Sequence, residues 1–153
     1  MPPVSIDPEI DIALAAYFDG LARHASAEEM LSSMVTEDFE TGFADGYRWR
    51  GADGLRAFLE ARSGFIDERH ELRELLERRT LASDEVRLRT RLEFVLRQPE
   101  SGEELTGSAF HTWLLRRDGE GRIRVAAQIV DGFADLNEPA RRLFATPDEG
   151  LNR

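Results

Sequence analysis

The sequence predicts an α+β fold, with helices gathered before a run of long antiparallel strands. Two patterns carry that reading. From Val86 the chain alternates strictly: Val86, Leu88, Thr90, Leu92, Phe94 and Leu96 fall on one side, and Arg87, Arg89, Arg91, Glu93 and Arg97 on the other. A period of two is the mark of a half-buried strand. Swapping the faces would bury three arginines, so the apolar side is assigned to the core. The run from Arg122 alternates in the same way, with Ile123, Val125, Ala127 and Ile129 on its apolar face and Asp131 at the next position of that face. In the run from His70 the apolar set is Leu72 and Leu76, and His70 shares their parity.

The preceding elements follow from local signals. Asp7-Pro8 starts a helix, because Asp caps and Pro suits the first helical position. Ile10, Leu14, Tyr17, Phe18 and Leu21 continue at helical spacing to about Arg23. Ser26 with Glu29 makes a capping box for a second helix carrying Met30, Leu31, Met34 and Val35. Phe39, Thr41 and Phe43 alternate as a short strand, which Ala44-Asp45-Gly46 turns into a second one bearing Tyr47 and Trp49. Gly51 to Gly54 breaks that strand, and a third helix follows with Leu55, Phe58, Leu59, Phe65 and Ile66 on one face.

Long strands then occupy about 70–81, 85–97, 106–117 and 122–133. Connections this short make them antiparallel neighbours, with the strand from Val86 near the centre of the sheet. Asn137 can cap a last helix through Phe144. Helices on one face of such a sheet imply a curved antiparallel sheet wrapped around the long first helix, with a conical pocket at the open end. One domain is expected over 1–153, with its core at about 8–145, a short arm opened by Pro2 and Pro3, and a loose tail from Thr146.

Composition excludes several functions. The 153 residues carry a formal net charge of −10, which argues against nucleic acid and anionic membrane surfaces. There is no cysteine, hence no disulfide framework or thiolate metal site. Three histidines without regular spacing do not argue for a metal, and no Gly-rich phosphate loop is present. No cofactor is implied. The N-terminus lacks a basic segment followed by an apolar core, and no apolar run reaches membrane-spanning length. A cytoplasmic location is the expectation.

The element order resembles the nuclear transport factor 2-like superfamily, with its cystatin-like, cone-shaped α+β barrel, and within it the SnoaL-like group. The matching pieces are the long first helix, the short helix leading into Val35-Thr36-Glu37-Asp38-Phe39, the turn Gly51-Ala52-Asp53-Gly54, and Asp118-Gly119-Glu120-Gly121-Arg122-Ile123 entering the last strand. The superfamily holds dehydratases, isomerases, polyketide cyclases, dehydrochlorinases, and non-catalytic dioxygenase subunits, so fold alone does not fix function. His70 precedes Ser83-Asp84-Glu85-Val86 by about the spacing of the catalytic His in scytalone dehydratases and hexachlorocyclohexane dehydrochlorinases. There, a buried Asp after the first helix orients that His. The corresponding stretch here, Leu21-Ala22-Arg23-His24-Ala25, has no acid. Asp131 matches the pocket Asp of SnoaL-like cyclases.

The candidate catalytic set is therefore His70, Asp131 and His24. A neutral imidazole near pH 7 suits His70 to general-base work, against a ring that faces solvent at a strand start. Asp131 either orients His70 or carries a proton itself, against an Asp that only ends a strand. His24 either joins the site or sits at a helix C-terminus, favoured there by the dipole. Tyr17, Tyr47, Trp49, Phe58, Phe94 and Phe110 are expected to bind substrate or fill the core, the two tyrosines offering a hydroxyl to a substrate oxygen. His111 is read first as an outer-face contact of a homodimer with Trp113 and Leu115, and second as catalytic. The functional expectation is a small cofactor-free lyase or isomerase: a dehydratase, isomerase or cyclase using acid–base chemistry on a hydrophobic oxygenated or cyclic metabolite. The rival is a non-catalytic ligand-binding or assembly module like the small subunit of ring-hydroxylating dioxygenases.

Overall fold

The structure, a computed structural model, describes residues 4–144. The arm at Pro2 and Pro3 and the tail from Thr146 lie outside the described residues. In chain order the elements are α1 (Pro8–Ala22), α2 (Ala27–Ser33), β1 (Val35–Phe43), β2 (Arg48–Arg50), α3 (Gly51–Ala61), β3 (Ile66–Ala82), β4 (Glu85–Arg97), β5 (Glu104–Arg117), β6 (Ile123–Ala134) and α4 (Glu138–Phe144). The six strands form one curved, unclosed sheet in the order β2-β1-β6-β5-β4-β3. The four long strands are a meander, as the tight connections demand. β1 joins β6 in parallel, so the sheet is mixed rather than wholly antiparallel. β4 lies beside the edge strand β3, and the centre of the sheet falls at β6 and β5.

The helices start where their caps put them. Asp7 Oδ1 accepts the Ile10 amide at 2.9 Å, and Ser26 Oγ accepts that of Glu29 at 3.1 Å. Each such cap is worth about 1 kcal/mol. α1 ends in a left-handed residue, His24, with φ 57°. The amides of His24 and Ala25 donate to the carbonyls of Leu21 and Gly20, the double closure of a Schellman turn. α3 begins at Gly51 rather than after Gly54. Gly51, at φ 70°, turns the chain straight from β2 into the helix. In the β1–β2 hairpin Gly42 has φ 139°, and a Cβ there would meet the Tyr47 carbonyl at 2.1 Å, so only glycine fits.

α1 lies across the concave face with Ile10, Leu14, Tyr17 and Leu21 buried. Leu88, Leu92, Phe94 and Leu96 of β4 belong to the same buried core, while Arg87, Arg89 and Arg91 stay on the other face. β3 departs from strict alternation. One-residue irregularities between Leu72 and Glu74 and between Leu75 and Glu77 shift its register against β4. Leu76 is thereby turned out to 42% exposure, and Leu75 faces the core in its place.

β5 presents the opposite face to the one expected. Leu88 pairs with Trp113, Thr90 with His111 and Leu92 with Ala109, and residues directly opposite share a face. His111, Trp113 and Leu115 therefore point inward and are buried, and Phe110, Thr112 and Leu114 lie outside. The expected dimer contact through Trp113 and Leu115 is overturned, since both are core residues. A one-residue slip in pairing across the Gln98–Glu103 connection inverts every side chain of a strand. Trp113 is fully buried, and its indole N–H donates to Thr90 Oγ1 at 2.9 Å. Replacing Thr90 with Val leaves that donor unpaired in the core. We expect Thr90→Val to lower unfolding free energy by about 1–3 kcal/mol in urea titration. A neutral result would place His111 and Trp113 back on the outer face.

Candidate active-site cavity

β6 decides which groups reach the concavity. Leu115 pairs with Val125 but Leu114 with Ala127; His111 pairs with Val130 but Phe110 with Gly132. β6 thus carries one extra residue at Ala126 and another at Asp131. Each bulge reverses the inward and outward assignment beyond it. The inward set becomes Val125, Gln128, Val130 and Phe133, not Val125, Ala127, Ile129 and Asp131. Asp131 is the extra residue of the second bulge and lies on the outer side. It accepts a hydrogen bond from Thr112 Oγ1 at 2.6 Å and stands 4.0 Å from Arg89 Nε. It does not reach His70, and the expected His70–Asp131 pair does not form.

The inward groups enclose a cavity of about 90 Å³ that opens at one end. Its walls are mostly apolar, among them Trp49, Phe58, Leu92, Phe94, Phe133 and Phe144. Five polar side chains interrupt them: Thr41, Arg62, His70, His111 and Gln128. Drug-sized ligands occupy roughly 300–1,000 Å³, so the enclosed part suits a single ring or a short branched chain with the remainder in the mouth.

His70 stacks on Phe18, with centroids 4.4 Å apart and planes 11° from parallel. Neither ring nitrogen has a hydrogen-bond partner among the described residues. Burial, the Arg62 charge and the neighbouring His111 pull its pKa down to about 3. His111 is fully enclosed, and burial alone pulls it to about 3 as well. Both imidazoles are neutral at pH 7. Gln128 Nε2 lies 3.2 Å from Nδ1 and 3.4 Å from Nε2 of His111. Tyr17 donates its hydroxyl to Gln128 Oε1 at 2.6 Å, and Thr41 Oγ1 donates to the Gln128 carbonyl at 2.8 Å. The amide is thus held from both sides, with its N–H₂ turned to the imidazole. Burial pushes the Tyr17 phenol up, so it remains a neutral donor.

Arg62 follows α3 and is buried. Its Nη1 donates to Glu68 Oε1 at 2.9 Å and to the Leu21 carbonyl at 3.5 Å, and Nη2 donates to Glu68 Oε2. Three of five guanidinium N–H groups are used, and the other two have no partner among the described residues. Glu68 stands on the far side of the pair, outside the cavity wall. Patterning did not single out Arg62, Glu68 or Gln128. The sequence pattern carries the third helix on through Phe65 and Ile66, but α3 ends at Ala61 and β3 starts at Ile66, which places Arg62 in the connection; Gln128 shared parity with outward residues until the bulge moved it.

The remaining candidates are placed as follows. Trp49, Phe58 and Phe94 are on the cavity wall. Tyr17 lies one layer behind it, bonded to Gln128. Tyr47 is 51% exposed and packs edge-on against Trp49, away from the cavity, because it sits in the hairpin turn before β2. Phe110 is on the outer face by the β4–β5 register. His24 is exposed at the Schellman turn and lines a surface depression, not the cavity. Among the described residues no group of three or more His, Asp or Glu is placed to hold a metal ion. No helix there is long and apolar enough to cross a membrane.

With this geometry in hand, the fold can be compared with known ones. No family model and no curated protein matches the sequence. Solved structures do. A scytalone dehydratase-like protein from Novosphingobium aromaticivorans superposes with a TM-score of 0.72 at 14% identity, over 85% of each chain. A hexachlorocyclohexane dehydrochlorinase gives 0.68 at 14% identity, over 84% of this chain and 85% of that one. A ketosteroid isomerase-like protein from Erwinia carotovora atroseptica gives 0.62 at 18%, over 80% of this chain and 92% of that one. The chain has the fold of the nuclear transport factor 2-like superfamily.

Two neutral imidazoles, His111 buried and His70 half-buried, tie stability to pH. Each folded pKa lies below the unfolded value of about 6.5, so the unfolded chain binds the extra protons. Above pH 6.5 neither state is protonated and the rings cost nothing; below it the unfolded chain gains protons and stability falls as pH drops toward 3. Between pH 6 and 4.5 each should contribute a slope of up to about 1.4 kcal/mol per pH unit. Urea titrations across that window should show it, and His111→Gln should reduce it by about half. A flat profile would mean the rings are hydrated.

Proposed function

We propose that the chain is a small cofactor-free acid–base enzyme, a lyase or isomerase, acting on a compact apolar molecule with a carbonyl or similar oxygen. The observation that carries the reading is His70: an imidazole on the wall of an apolar cavity with no protein partner for either nitrogen. A desolvated polar group left unpaired calls for an occupant that pairs with it. The chemistry would run as follows. A His70 nitrogen takes a proton from a carbon next to the carbonyl. The C–H electron pair forms a new carbon–carbon double bond, and the carbonyl π pair moves onto the oxygen. The free N–H groups of Arg62 and the ring of His111 meet the negative charge there. His70 then returns its proton to another carbon, which isomerises the substrate, or to a departing hydroxyl, which dehydrates it. In the empty cavity the ring is a weak base, and the oxyanion that forms beside it raises its proton affinity.

The second reading, a binding or assembly module, is favoured by one feature. No carboxylate orients His70, which rests on Phe18 instead. A homodimer, if formed, would use the outer face, where Phe110 and Leu114 are half-buried.

Exchange of the α-protons of phenylacetone in D₂O, followed by NMR, tests proton abstraction without a known product. The enzyme reading expects exchange faster than in buffer, reduced roughly 10²–10⁴-fold by His70→Gln with folding intact. Exchange at the buffer rate in both proteins would leave the binding module as the better account.

A further inference from the structure

The five polar groups on the cavity wall are unequal in kind. Arg62 brings two unused N–H donors, and the imidazoles bring ring nitrogens, but no carboxylate faces the space. Glu68, which neutralises Arg62, is turned the other way and borders an outer groove between α1 and the edge of the sheet. The cation of the pair thus faces the ligand and the anion does not. His70 borders both spaces: the cavity on one side and the groove on the other. The groove side carries Asp19 from α1, Glu68, Arg69, Glu71 and Arg73 from β3, and Glu93 from β4, each of the four carboxylates being paired with an arginine.

From this arrangement we propose that the cavity binds small apolar carboxylates, seating the carboxylate between Arg62 and the two imidazoles and taking up one proton on His70. The proposal deepens the preceding reading and rests on it, because a carboxylate beside a protonated His70 has the same charges as a substrate oxyanion after proton abstraction. The reason for the proton is electrostatic. Arg62 and Glu68 together are neutral, so a carboxylate entering alone would be a buried net charge, which is costly. A proton on His70 cancels it. The groove provides contact with solvent for that proton. The charged and titratable groups around His70 are Arg62 after α3, His111 on β5, Asp19 on α1, Glu68, Arg69, Glu71 and Arg73 on β3, and Glu93 on β4. The acceptor role falls to His70 rather than His111, which the Gln128 amide already engages and which has no access to the groove.

Benzoate and benzyl alcohol share one ring and differ in charge, and Trp49 on the wall reports their entry by fluorescence. Benzoate is expected to bind more tightly than benzyl alcohol at pH 7. Its Kd should weaken about tenfold per pH unit from about pH 5.5 to 7, the slope of one coupled proton where free His70 is neutral. Calorimetry in phosphate and in Tris should show about one proton taken up. His70→Gln should remove both the slope and the uptake, and benzyl alcohol should show neither in either protein. If benzyl alcohol binds as well as benzoate, or benzoate binds without proton uptake, the carboxylate proposal is overturned while the ligand pocket stands. If neither probe changes Trp49 emission or releases heat, the pocket reading falls and the proposal with it.

Discussion

Between Phe110 and His111, β6 holds one more residue than the strand it pairs with, and that residue is Asp131. The composition of the cavity depends on this bulge and on its companion at Ala126. Together they bring Gln128, Val130 and Phe133 onto the concave face and leave Asp131 on the convex one. Gln128 then meets His111 and Tyr17, and the hydrogen-bond chain from α1 through β6 to β5 closes. Without the first bulge, Gln128 would face outward and the hydroxyl of Tyr17 would lose its Gln128 acceptor.

The cavity that results is polar by donors and apolar by area. Arg62 is held by a carboxylate and by the last turn of α1, so its charge is fixed in place before any ligand arrives. His70 is held differently, by a ring face on Phe18 and by its strand partner Phe94. A charged group on a rigid pair, beside an unbonded base on an aromatic platform, can stabilise charge on a ligand oxygen without rearranging. Among the described residues no carboxylate hydrogen-bonds His70, which is the main chemical difference from the dyad that its sequence position suggests.

How much of this was legible in the chain can be stated element by element. The caps at Asp7 and Ser26, the two faces of β4 and the meander of the four long strands all rest on local signals, and they hold, whereas the parallel β1–β6 pairing and the place of β4 beside the edge strand do not follow from them. His70 kept the parity of Leu72, so its place on the inner face was readable. The rest failed at register. β5 has two semi-apolar faces, so pattern alone could not choose between His111 with Trp113 and Phe110 with Thr112. β6 reads as an unbroken alternation, but two extra residues change its parity twice, and nothing in Ala126 or Asp131 announces a bulge. Arg62 and Glu68 were missed because buried ion pairs have no spacing rule when they bridge a loop.

The site depends on two imidazoles that are neutral at the wall of one cavity, His111 buried and His70 half-buried. Histidine ring chemical shifts followed by NMR from pH 7.5 to 5 measure this directly. His70 and His111 should keep constant shifts across the range, since burial holds both near 3. A titration of either ring with a midpoint near 6.5, the value of a hydrated imidazole, would contradict the inward placement of that ring and the site built on it.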